Sequence, residues 1–165
     1  MNTDGRVSAF EIVILYDSIG AGKRATELCH RLAAKLGPQY QLQLHCWRIT
    51  ILQNPSVAAL VARETACSPC LVIAVNGNNP LAWPLKEFLN HHACAMRRTG
   101  TALVAQLYGI YKTDREISPA YRCLNQIAQN SGMRFLSEAI PPSDGESLGI
   151  LKERVGIRSS LFSEP

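Results

Sequence analysis

No apolar run in this sequence approaches the roughly 18 residues that a membrane-spanning helix requires. The N-terminal segment 1–7 is polar and contains Asp4, unlike a secretory signal, so we expect a cytoplasmic protein with no membrane partner. Basic residues exceed acidic ones by only four, 17 against 13, and Arg97-Arg98 is the densest basic pair. Because this charge is weak and scattered, we expect no nucleic-acid partner.

Internal repeats, linkers and low-complexity tracts are also lacking, and a chain of 165 residues is of single-domain size. Hydrophobic residues make up 47% and charged residues 18%, which is too apolar for an intrinsically disordered chain. We predict a polar lead over 1–9, one domain over 10–155 and a tail over 156–165. The apolar side chains of that tail could dock on the domain or on a second subunit, and they are Ile157, Leu161 and Phe162.

What the sequence does contain is five strand-like segments that alternate with helical ones. The strands are predicted at 10–16, 40–46, 71–75, 102–107 and 133–139. Helices are predicted from the region of Lys23 to Leu36, and over 54–66, 84–95 and 118–132. A last helix start is indicated by a capping-box pattern, Ser143 with Glu146, before Leu148 and Leu151.

The apolar patterns of the strands predict how they are ordered. Strands one, three and four are apolar throughout, which is typical of strands buried on both faces, whereas strands two and five alternate and belong at edges. Strand and helix in alternation favour parallel pairing with helices on both faces. We therefore predict a three-layer α/β/α doubly wound parallel five-stranded sheet of order 2-1-3-4-5.

In such a sheet a ligand binds beyond the carboxyl ends of the strands, where we expect the loops 17–23, 76–83 and 108–118 to meet. Gly20 and Gly22, followed by Lys23-Arg24 at a helix start, favour an anion such as phosphate. The nucleoside-triphosphate loop pattern is excluded, because Asp17 replaces its first glycine and Arg24 replaces its Ser or Thr. The alternative is that the glycines only turn the chain and that Lys23 is solvated.

The other two loops carry amides and aromatic rings. The loop 76–83 is rich in Asn and ends at Trp83, and the loop 108–118 begins with Tyr108 and Tyr111 close together. These rings could sandwich a flat heteroaromatic ligand. The alternative is that each ring packs over the end of its own helix.

Three stretches resemble flavodoxins and NADPH-dependent FMN reductases. The stretch Ile14 to Gly22 looks like their phosphate loop, and Val75 to Leu89 is similar to the reductases' stretch after strand three, whose loop backbone touches the flavin ring. The stretch Gly100 to Ala139 runs parallel to the family's fourth strand, ring-flanking loop, helix and fifth strand. The resemblance covers about residues 10–140, and it implies the flavodoxin-like fold and FMN as cofactor.

The resemblance also implies which residues would bind the cofactor. The FMN phosphate would be held by Ser18, Gly20, Gly22 and Lys23. The polar edge of the ring would be lined by Asn76, Gly77 and Asn78. The faces of the ring would be covered by Trp83 and by Tyr108 or Tyr111.

A second resemblance is to the receiver domain of response regulators, which shares this strand order. Its chemistry needs an acidic pair after strand one, and of that pair this chain has only Asp17. The Asp, hydroxyl and Lys positions after strands three, four and five hold Asn76, Tyr108 and Ala139. Phosphoryl transfer of the receiver type is therefore excluded, but a receiver-like interaction module is not.

Six cysteines in a cytoplasmic chain favour reduced thiols, and Cys29 and Cys123 lie on apolar helix stripes. Cys67-Ser68-Pro69-Cys70 leaves a helix C-terminus and enters a strand, a setting that disfavours a redox thiolate. Two readings stay open for this region. One is buried thiols and solvated histidines, and the other is a structural zinc site formed by Cys67, Cys70, His91 or His92, and Cys94.

Two functional hypotheses follow. The first is a flavodoxin-like protein that binds FMN or a related phosphate-bearing small molecule and acts as an NAD(P)H-dependent flavin oxidoreductase if it is an enzyme. The second is a degenerate flavodoxin-like or receiver-like domain that binds a protein partner and has no cofactor. A homodimer could form through an exposed edge strand or the apolar tail.

Overall fold

The computed structural model describes residues 7–142, in which five strands alternate with four α-helices. The strands are β1 (Ser8–Tyr16), β2 (Tyr40–Arg48), β3 (Cys70–Asn76), β4 (Ala102–Tyr108) and β5 (Phe135–Ile140). The helices are α1 (Ile19–Leu36), α2 (Pro55–Ala66), α3 (Trp83–Thr99) and α4 (Pro119–Ser131). Two 3-10 helices, Ile49–Gln53 and Lys112–Ile117, precede α2 and α4.

Some of the sequence predictions lie outside the described residues. They are most of the polar lead, the capping box at Ser143 and Glu146 with Leu148 and Leu151, the domain end at residue 155, and the tail 156–165. Within the described part, no helix has both the length and the apolar character needed to cross a membrane.

The five strands form one sheet of order β2-β1-β3-β4-β5, and every neighbouring pair is parallel. The predicted fold class and strand order are therefore confirmed. In the register of the central strands, Tyr16 lies beside Ala74, and Asn76 lies beside Tyr108. Since parallel strands run in one direction, this register brings the carboxyl ends of β1, β3 and β4 to the same edge of the sheet.

Alternate side chains of the central strands enter two different hydrophobic layers. Val13 and Leu15 of β1 are fully buried in the larger layer, which α2, α3 and α4 cover. Ile12 and Ile14, one residue out of step, belong to the smaller layer, which contains Ala21, Ala25 and Cys29 of α1. The central strands are apolar in the sequence because helices cover both of their faces.

Candidate functional site

The carboxylate of Asp17 joins the ends of three strands at the point where the strand order reverses. The Asp17 backbone N–H donates to the Ala74 carbonyl at 3.2 Å, and one carboxylate oxygen accepts from the Asn76 backbone N–H at 2.9 Å. The other oxygen accepts from the Tyr108 hydroxyl at 2.6 Å. Hydrogen bonds to an ionised carboxylate are among the stronger ones in proteins, so this junction is held firmly.

Tyr108 crosses from the end of β4 toward the start of α1. Its hydroxyl also lies 3.4 Å from the Ser18 Oγ, and the guanidinium carbon of Arg24 lies 5.4 Å from the centre of its ring. Burial raises the pKa of Tyr108 to about 12, and the hydrogen bond to the Asp17 carboxylate acts in the same direction. Tyr108 is therefore a neutral hydrogen-bond donor near pH 7, and its ring lies beside the guanidinium of Arg24 on α1.

The start of α1 differs from the sequence prediction. The prediction had a glycine loop up to Lys23, whereas the helix begins at Ile19 and is capped by Ser18, whose Oγ accepts from the Ala21 N–H at 3.2 Å. Neither Gly20 nor Gly22 has a positive φ, so both are helical residues. The cap explains the difference, because a well-placed Ser starts a helix even where glycines follow.

The structure separates the four residues that were predicted to hold a phosphate. Ser18 and Gly20 lie at the helix N-terminus, and a Cβ on Gly20 would have open space around it. Gly22 instead lets the helix approach Tyr16, since a Cβ there would be 3.1 Å from that ring. Lys23 lies in the second turn of α1, beside a different cavity that Tyr16 and Cys46 also line.

A pocket of about 620 Å³ lies between the segments that follow β3 and β4. Its polar wall includes Asn76, Asn78, Asn79, Gly109 and Asp114. The wall is fixed by hydrogen bonds, because the Asn78 backbone N–H donates to Asn76 Oδ1 at 2.9 Å and the Asn78 Nδ2 donates to the Gly109 carbonyl at 2.8 Å. The loops at 76–83 and 108–118 thus come together as predicted.

Gly77, predicted to line the polar edge of a ring, is buried behind this pocket. Its carbonyl accepts from the Ser118 hydroxyl at 2.6 Å, and its N–H donates to the Tyr108 carbonyl at 2.9 Å. A Cβ on Gly77 would be only 2.9 Å from Ile110. Gly77 therefore allows the two loops to pack closely, and Asn76 and Asn78 form the polar surface.

The three predicted aromatic residues do not form a sandwich. Tyr111 is 54% exposed and lines the pocket between the loops. Tyr108 points to Asp17 and Ser18 instead, and Trp83 is 69% exposed and lines a cavity beside α2. Trp83 is the first residue of α3, and it does not line the pocket between the loops.

Sequence reasoning missed several residues of the pocket, notably Asn79, Gly109 and Asp114. Gly109 has a φ of 80°, and a glycine two residues after the predicted strand 102–107 was a signal for a turn of this kind. The sequence shows Asp17 only as a single acidic residue after β1. It does not reveal the role of this residue, because the hydrogen-bond partners come from β3 and β4.

The predicted zinc site is not formed. No group of three or more His, Cys, Asp or Glu residues that could hold a metal occurs among residues 7–142. Cys70 packs in the layer that α1 covers, whereas α3, which carries His91, His92 and Cys94, packs on the opposite face of the sheet. Cys67 ends α2 and is exposed, and all six cysteines are free thiols.

Comparison with known proteins identifies no family for this chain. No protein-family model matches the chain, and no curated protein is significantly similar to it.

Proposed function

We propose that the carboxyl edge of the sheet binds a small molecule that combines a phosphate with a flat heteroaromatic ring, as FMN does. The observation that carries this proposal is the pocket of about 620 Å³ between the segments after β3 and β4, whose Asn76 is hydrogen-bonded directly to the residue before the α1 cap. Small-molecule sites usually have volumes of about 300–1,000 Å³, and in sheets of this kind they lie at the strand ends.

The ring would lie between the loops. The amides of Asn76, Asn78 and Asn79 offer donors and acceptors to the polar edge of a flavin, and the exposed ring of Tyr111 offers one apolar face. When bound, the flavin would supply the redox chemistry, with NAD(P)H as the reductant. The residues of this chain would orient the ring and exclude water from the side that faces Ile110.

The phosphate would lie at the first turn of α1. The leading N–H groups of a helix lack partners within the helix, and together with the helix dipole they favour an anion. The empty space beside Gly20 lets a phosphate approach this backbone closely. Arg24, next to Tyr108, adds a positive charge on the same side.

Asp17 opposes an anion at this position, since its carboxylate carries a like charge. Both of its oxygens accept hydrogen bonds, one from Asn76 and one from Tyr108, which spreads that charge over the strand ends. This network favours the second candidate function, a cofactor-free interaction domain, because it joins β1, β3 and β4 with no ligand needed.

Titration of FMN with the purified protein distinguishes the two candidates. The expected result is quenching of FMN fluorescence at micromolar protein, with riboflavin, which lacks the phosphate, bound at least about tenfold more weakly. A colourless protein that leaves FMN fluorescence unchanged would reject the first candidate and leave the second.

A variant tests where the phosphate binds. Gly20→Asp places a carboxylate in the first turn of α1 at an exposed position that tolerates acidic residues, so the fold is retained. We expect at least about tenfold weaker FMN binding. Ser56→Asp, at the equivalent second position of α2, is the matched control and should bind FMN like the wild type. Equal affinity of the two variants would contradict the assignment.

A further inference from the structure

A second cavity lies between α2 and α3, separate from the pocket at the strand ends. Its volume is about 320 Å³, and the two cavities share no lining residue. Its apolar wall includes Leu52, Pro55, Ala58, Ala59, Trp83 and Phe88. A concave, mainly apolar surface between helices with a few polar groups is typical of a site for a small organic molecule.

Trp83 is the unusual member of this wall. It is the first residue of α3 and is 69% exposed, although burial of an indole is one of the larger hydrophobic gains available to a protein. The other tryptophan, Trp47, is packed against the larger hydrophobic layer, and its indole N–H donates to Glu64 at 2.7 Å. The exposed side chain of Trp83 is therefore available to a ligand that enters the cavity.

Three polar side chains of the cavity lie on α3, and they are Glu87, His91 and His92. The His91 Nε2 lies 3.5 Å from the Glu87 carboxylate, one helical turn away. The His92 ring lies against Phe88, with 4.9 Å between ring centres. Burial, together with the neighbouring His91, lowers the pKa of His92, so that this imidazole is neutral near pH 7.

We propose that this cavity binds a small, flat, uncharged aromatic molecule of one or two fused rings, which stacks on Trp83 and forms a hydrogen bond at the polar rim. The two aromatic residues of the wall suit a ring, and the short side chains of Ala58 and Ala59 leave the space for it. The mainly apolar wall favours an uncharged ligand, because it would not replace the water that a charged group loses on entering. This site is independent of the proposed FMN site.

The two tryptophans allow a direct test with indole as the probe. A spectrum of the ¹⁵N-labelled full-length chain contains one side-chain N–H signal for each, and Trp47→Phe and Trp83→Phe assign them. Titration with indole should shift the Trp83 signal in a saturable manner and leave the Trp47 signal in place. An unmoved Trp83 signal, or equal movement of both signals, would overturn the proposal.

Filling the cavity provides the matched test. Ala59→Leu adds three carbons at an exposed position of α2 that lines the cavity, and it should weaken indole binding at least about tenfold. Ala34→Leu, at an exposed position of α1, should bind like the wild type. The Trp47 signal reports whether each variant is folded. Wild-type affinity for indole in folded Ala59→Leu would overturn the proposal. Gly20→Asp, at the separate FMN site, should bind indole like the wild type.

Discussion

At the scale of single residues, the carboxylate of Asp17 links the end of β1 to the ends of β3 and β4. It accepts hydrogen bonds from Asn76 on β3 and from Tyr108 on β4. Both candidate functions depend on it, because it fixes the loops around the pocket and also carries a charge that a phosphate has to tolerate. The Tyr108 hydroxyl can be removed by substitution with little change in side-chain volume, whereas the Asn76 partner is a backbone N–H.

We expect Tyr108→Phe to lower the free energy of unfolding by about 1–2 kcal/mol, because one oxygen of a half-buried carboxylate loses its hydroxyl partner. Urea denaturation at pH 7 measures the change. Tyr111→Phe removes the same hydroxyl from an exposed ring and should change stability by less than about 0.5 kcal/mol. Equal losses in the two variants would show that the junction contributes nothing specific.

The elements show which parts of the fold could be predicted from the sequence. Strands β1, β3 and β4 were predicted as central because only strands covered on both faces have continuous apolar runs. The caps Asn54 and Ser118, each followed by proline, were recognisable and do cap α2 and α4. These signals are local, and they are enough to fix the order of the elements.

The features that were missed depend on contacts between elements. Helix α3 continues past the predicted end at Ala95 to Thr99, because Met96 is buried and Gly100 closes the helix. The direction of Trp83 depends on how α3 packs beside α2, and the bonds of Asp17 depend on the register of β3 and β4. No local pattern in the sequence encodes these distances.

Two glycines allow the same substitution to be compared at two helix positions. Gly100 ends α3 with a φ of 81°, whereas Gly20 is helical, and a Cβ would have open space at both. We expect Gly100→Ala to cost about 1–2 kcal/mol from the left-handed backbone alone, and Gly20→Ala to stabilise the fold by about 0.5–1 kcal/mol. Thermal denaturation measures both. Changes of the same sign would contradict this explanation.

At the scale of the whole molecule, the smaller hydrophobic layer shields three groups that ionise only at high pH. Burial raises the pKa of Cys70 to about 11 and is the main cause that raises that of Cys29 to about 12. The pKa of Tyr108 is also raised, to about 12. Each of the three groups is neutral in its protonated form. Because their pKa values are raised in the folded state, the folded state holds these protons more tightly than the unfolded state does.

This difference predicts a loss of stability at alkaline pH. A thiol in the unfolded chain ionises near pH 9, below the folded value of about 11 for Cys70, so the unfolded state is increasingly favoured between these values. In urea denaturation with a reductant present, Cys70→Ala should lose less stability than the wild type from pH 9 to 11. Cys94→Ala, which removes an exposed thiol, should follow the wild type. If Cys70→Ala declines as steeply as Cys94→Ala, the buried Cys70 thiol does not contribute to the alkaline instability.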